Sequence, residues 1–111
     1  MEYIVKGSVS QAADLVAYSE NSIVSKQIIK SKSGNITAFA FDKGQGLSEH
    51  TAPFDAWLHI LAGKAEIMIG SEFFEMVAGD AILLPANVPH AVKATNAFKM
   101  LLTMIREPKN D

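Results

Sequence analysis

Few side chains in this sequence can carry acid–base or metal chemistry: three histidines, His50, His59 and His90, and twelve carboxylates, with no cysteine in 111 residues. The lack of cysteine excludes a disulfide framework, a thiolate-ligated zinc or iron–sulfur site and a thiol nucleophile. Ser48, His50 and Asp55 supply the residue types of a serine triad, but no Gly-x-Ser-x-Gly turn presents a serine for attack. Gly44 and Gly46 do not make a phosphate loop, because a strand pattern follows them where a helix N-terminus would be needed. Imidazoles can exchange protons near neutrality, bind a metal or accept hydrogen bonds from a ligand. Where the fold places the histidines therefore decides what the chain can do.

The chain has the composition of one globular domain: 49% hydrophobic and 20% charged residues. Ten basic against twelve acidic side chains leave no basic stripe for nucleic acid and no patch for an anionic membrane. Residues 1–6 lack a signal-peptide core, and no apolar run approaches the ~18 residues of a membrane span, which predicts a soluble, cytoplasmic protein. The domain is expected over residues 1–106, with a frayed polar tail at 107–111.

A short helix is expected at about residues 10–18, capped by Ser8 or Ser10 and burying Ala12, Ala13, Leu15 and Val16. Residues 23–30 and 36–41 read as a hairpin about the turn Ser33-Gly34-Asn35, and 42–48 as a loop. Strands are then expected at 56–62, 65–69, 72–77, 81–84 and 98–105, separated by Gly63, Gly70-Ser71, Gly79-Asp80 and Pro85. Short strands punctuated at close to ten-residue intervals argue for an all-β sandwich or barrel. Alternation turns Ala65, Ile67 and Ile69 inward. It also leaves strands 36–41 and 98–105 apolar on both faces, so a homodimer is expected to cover the outer one.

The histidines fall within two spaced motifs. Gly44, His50 and Gly63 match the pattern G-x5-H-x-H-x3-E-x6-G, and Gly79, Pro85 and His90 match G-x5-P-x-G-x2-H-x3-N. In this order, over residues 44–63 and 79–94, the motifs resemble those of the cupin superfamily. The resemblance implies a double-stranded β-helix, or jelly-roll barrel, in which two histidines and a glutamate of the first motif and the histidine of the second bind a transition metal. His50 and His90 occupy ligand positions; the remaining histidine and glutamate positions hold Ala52 and Ala56. Asn87 replaces a turn glycine and Ala94 the final asparagine.

The reading that follows is a pocket formed by His50, Ala52, Ala56, Leu58, Ile60, His90 and Val92, with His59 and Trp57 facing outward. Its metal site, reduced to His50 and His90, would hold a divalent transition metal only weakly. Gln45, Glu49, Asp55 and Met104 lie within sequence reach, but none occupies a family ligand position. A small-molecule binding module is the first expectation. The alternative is a small enzyme, metal-dependent through two histidines or metal-free, of isomerase, decarboxylase or dioxygenase type; a regulatory protein acting through its outer face is a third.

Overall fold

The computed structural model describes residues 4–107. Seven antiparallel strands follow one turn of 3-10 helix, Ala12–Asp14. They are β1 (Ile23–Ser31), β2 (Gly34–Phe41), β3 (Gly46–His50), β4 (Ala56–Ile69), β5 (Glu72–Val77), β6 (Ala81–Leu84) and β7 (His90–Ile105). The architecture is the all-β jelly roll that the motifs imply. The expected helix at 10–18 is reduced to that single turn, and Gln11 at its start makes no side-chain cap. The turn itself buries no residue; of those expected to be buried, Val16, which follows it, is buried, while Ala12, Ala13 and Leu15 are half-buried.

Two long strands organise the rest. β4 and β7 pair along nearly their whole lengths, from Ala56 opposite Met104 to Ile69 opposite His90. Register shifts between Ile60 and Ala62 and between Gly63 and Ala65 bend this ribbon in the middle. On one side of the bend it pairs with β6 and with β2, which carries β1; on the other it pairs with β5 and β3. One bent ribbon thus contributes to both walls of the barrel.

The bend corrects two sequence expectations. Gly63 does not end a strand; it continues β4 with φ 81°, and a Cβ there would collide with the Ala97 carbonyl. Glycine punctuation marks a bulge here and a turn elsewhere, and composition alone does not separate the two. Residues 90–97, not expected as strand, likewise join 98–105 in the single strand β7. The expected loop at 42–48 closes earlier, because Gly46 and Leu47 already pair with Lys93 and Val92. Of the expected tail, Glu107 is exposed and residues 108–111 lie outside the described residues.

The interior is apolar and closely filled. Phe41 and Phe98, fully buried register partners, stack with centroids 4.5 Å apart and planes 7° from parallel. Leu58, Ile60, Ala65, Ile67 and Met100 complete the centre. Outside, a second cluster joins Val16 and Leu15 to Ala38, Ala40, Val24, Ile28 and Leu101. The cover that β2 needs at Ala38 and Ala40 comes from the chain's own N-terminal segment. Lys99 pins that segment by donating from Nζ to the Ala13 carbonyl at 2.6 Å and by lying 4.9 Å from the Tyr18 ring centroid.

Two substitutions test this arrangement. Gly63→Ala is expected to cost about 3 kcal/mol or more, combining left-handed backbone strain with the carbonyl collision. Lys99→Met is expected to cost only about 1–2 kcal/mol in chemical denaturation but to expose residues 10–20 to limited proteolysis, since it removes the pin and leaves the barrel intact.

Candidate functional site

The end of β3 and the start of β7 bring the two motif histidines together. His50 and His90 are direct register partners, and their ring centroids lie 4.3 Å apart with planes at 68°. Each ring is oriented in the same way, by the carbonyl two residues before it in the chain. His50 Nδ1 lies 2.7 Å from the Ser48 carbonyl, and His90 Nδ1 lies 3.2 Å from the Val88 carbonyl. A carbonyl can only accept, so Nδ1 is the nitrogen that donates in each ring, and in the neutral form of the ring Nε2 is then the nitrogen with the lone pair. Among the described residues neither Nε2 has a partner, and no buried side-chain nitrogen or oxygen is unsatisfied. The Nε2 atoms therefore remain reachable from outside the protein.

The two imidazoles differ in surroundings. His50 is exposed, whereas His90 is only 6% exposed and is flanked across the sheet by Ile69. Burial lowers the pKa of His90, the Val88 carbonyl partly opposes this, and the neighbouring His50 lowers it further.

The loop that follows His50 and the loop that precedes His90 are bonded to each other. The Ala52 carbonyl accepts from the Asn87 backbone N–H at 2.7 Å, and Asp55 Oδ1 accepts from the Ala86 N–H at 2.7 Å. Asn87 adopts φ 64°, the left-handed turn conformation in which asparagine substitutes for glycine at low cost. Asp55 thereby fixes the two loops to each other. Asp80 is similarly local, accepting from the Val77 N–H across its own turn.

Of the remaining pocket residues read from sequence, Ala56, Leu58, Ile60 and Val92 face inward and are buried within the main core, while Ala52 is half-buried in its loop. Met104 packs against the same core, opposite Ala56. His59 pairs in register with Ala81 and Leu101, and Trp57 beside it is 48% exposed; both belong to the outer side. An open cleft lined by Gln11, Asp14, Leu15 and Lys26 lies beside the N-terminal segment on that outer side. It does not include either motif histidine. Sequence reasoning missed the backbone carbonyls of Ser48 and Val88, for which a side-chain pattern holds no signal.

A bent antiparallel ribbon closing a jelly roll, with paired histidines at its end, defines a small barrel protein. The cupin domain model matches residues 38–105, and the chain belongs to that family. It is similar to a conserved protein of unknown function from Streptococcus pyogenes, with 34% identity, a TM-score of 0.91 and 98% of each chain covered. A cupin superfamily protein from Desulfitobacterium hafniense is 26% identical with a TM-score of 0.89, covering 96% of this chain and 97% of that one. A cupin 2 conserved barrel domain protein from Leptotrichia buccalis is 38% identical with a TM-score of 0.81; the match spans 85% of this chain and 46% of that longer one. No curated protein matches this chain.

Cupins as a family imply a resident transition metal, and the donor set here does not fit one. Among the described residues no three His, Cys, Asp or Glu side chains gather where an ion could be held. Two imidazoles supply half of the family's ligand set, and the carboxylate that would offset the cation's charge is replaced by the methyl group of Ala56.

The lowered His90 pKa has a consequence for stability. In the unfolded chain His90 takes up a proton at its ordinary value, ~6.5, whereas in the fold it resists protonation to lower pH. The unfolded state then binds more protons, so stability is maintained above that value and falls as the pH drops below it, until the folded-state pKa is passed. Denaturation midpoints from pH 8 to 5 are expected to show this decline and to flatten in His90→Asn.

Proposed function

We propose that this protein is a binding module for a small polar molecule, held at the His50–His90 pair without a resident metal. The observation that carries the reading is the matched orientation of the rings: both Nδ1–H groups are committed to backbone carbonyls, leaving two lone pairs for a ligand. A molecule with adjacent hydroxyl or amine donors suits two such acceptors, and the apolar residues behind them favour a compact carbon skeleton. Because His90 stays neutral near pH 7, the ligand class is one that donates hydrogen bonds and does not require an imidazolium.

The pair does not need a third protein ligand for this role. A ligand with two donors 2.7–3.1 Å from the Nε2 atoms would exchange its water contacts for two protein contacts while burying its carbon atoms. Loop fixation by Asp55 and Asn87 supports the reading, since a mouth ordered in advance lowers the entropy cost of binding.

A thermal-shift screen of polyols, sugars, amino alcohols and hydroxy acids, in parallel with Zn, Ni, Mn and Fe ions, tests the reading. At least one organic class is expected to raise the Tm of the wild type but not of a His50→Ala, His90→Ala double variant. Tight binding of a metal ion by the wild type, abolished in the same variant, would contradict it. In Ala52→His, which returns a third imidazole to the first motif, saturating zinc is expected to raise Tm by roughly 10 °C, corresponding to about 2.7 kcal/mol at a hundredfold excess over Kd.

A further inference from the structure

The interior has a second wall at the level of the histidines. Beyond β7 the strand order continues to β3 on one side of the bend and to β2, then β1, on the other, so closure of the barrel sets β3 against β2. Two five-residue loops, 51–55 and 85–89, lead from the His50–His90 row to the Ala56–Leu84 row, which puts both rows at the same end of the barrel. In the second wall that row runs from Ala56 to Met104, from Met104 to Asn35 and from Asn35 to Lys30.

Alternation fixes which side these residues take. Phe39, Phe41 and Met104 pack on the main core, whereas Ala38, Ala40, Val24 and Ile28 belong to the outer cluster. Asn35 and Thr37 share the parity of Phe39 and face inward. Lys30 would face outward with Val24 and Ile28, but the register shift between Gln27 and Ile29 reverses it and pairs it with Asn35 on the inner side. Arg106 follows Met104 by two residues; its N–H, bonded to the Ser33 carbonyl, continues the ladder, and its guanidinium carbon lies 5.6 Å from the centroid of the Phe54 ring in the loop after His50.

The chemistry of this wall complements that of the histidines. Thr37 Oγ1 donates to Asn35 Oδ1 at 3.4 Å, which turns the amide nitrogen and its two donors away from Thr37, with no acceptor among the described residues. Among those residues Lys30 and Arg106 form no ion pair. Asp55 is bonded to the Ala86 N–H, and Glu72 stands on β5, on the opposite side of β4 from β7. One wall accepts hydrogen bonds; the other donates them and carries positive charge. Resting on the ligand site described under Proposed function, we propose that the ligand is a small hydroxy carboxylate, whose hydroxyl groups donate to His50 and His90 and whose carboxylate is held by Asn35, Lys30 and Arg106. A guanidinium offers a carboxylate two parallel N–H groups, a match that a neutral polyol lacks, and an amino alcohol would bring its own positive charge against both cations.

NMR titrations of the full chain with two matched pairs, gluconate against sorbitol and glycerate against glycerol, test the assignment at pH 7.5 and low salt. Each acid is expected to bind roughly tenfold more tightly than its neutral counterpart, since charge-assisted hydrogen bonds are about twice as strong as neutral ones. Lys30 and Arg106 are exposed, so a Lys30→Gln, Arg106→Gln double variant keeps the core; it is expected to bring the acid-to-neutral ratio close to one while leaving the neutral probes unchanged. Asn35→Asp, which sets a carboxylate where the amide stood, is expected to weaken the acids alone. Failure of both acids to bind, equal affinity within both pairs, or an acid preference that survives the double variant would overturn this assignment; the histidine site still stands if a neutral probe binds and is lost in His50→Ala, His90→Ala. Binding that is indifferent to the histidine substitutions would overturn both.

Discussion

The bend in the β4–β7 ribbon is the constraint on which the rest depends. Antiparallel pairing over fourteen residues of β4 and sixteen of β7 would give one long, continuously twisted ribbon if it stayed in register. Shifts on either side of Ala62 and Gly63 fold it instead, so that Phe98, whose backbone packs against Gly63, can stack on Phe41 inside the closed barrel. A single left-handed glycine is thus coupled to the centre of the core. The same ribbon ends at His90, and its closure onto β3 brings His50 across from it.

The site retains the family's framework for holding histidines while two of the family's donor positions have become methyl groups. Ring orientation does not depend on those donors. It comes from carbonyls two residues upstream in the chain, Ser48 in β3 and Val88 in the loop before β7, and so needs neither a histidine at Ala52 nor a glutamate at Ala56. What is left is a pair of imidazoles, one exposed and one nearly buried, with an apolar interior behind them. The outer wall is organised separately: Lys99 and Val16 tie down the N-terminal segment over Ala38, Ala40 and Leu101, and Trp57 on the same wall is half-exposed.

Much of this was legible in the sequence because it depends on pattern. Alternation placed Ala65 and Ile67 inside and Trp57 outside, and motif spacing joined His50 to His90. What the sequence did not disclose depends on distant partners. Gly63 looks like any turn glycine until Ala97 and Phe98 are seen beside it. Residues 10–18 have helical periodicity, but without a cap at Gln11 and with Lys99 holding the Ala13 carbonyl they make only one turn before running over the sheet. The cover expected wholly from a second subunit is for Ala38 and Ala40 intramolecular, because nothing in a strand's own residues says which segment will lie over it.

The central claim is that backbone carbonyls orient His50 and His90 through Nδ1–H, so that in the neutral rings Nε2 is the unprotonated nitrogen. Long-range proton–nitrogen NMR correlations of the histidine rings at pH 7.5 read this directly. The account predicts Nδ1-protonated tautomers for both rings, with His50→Ala and His90→Ala assigning the signals. An Nε2-protonated tautomer at either position would contradict it.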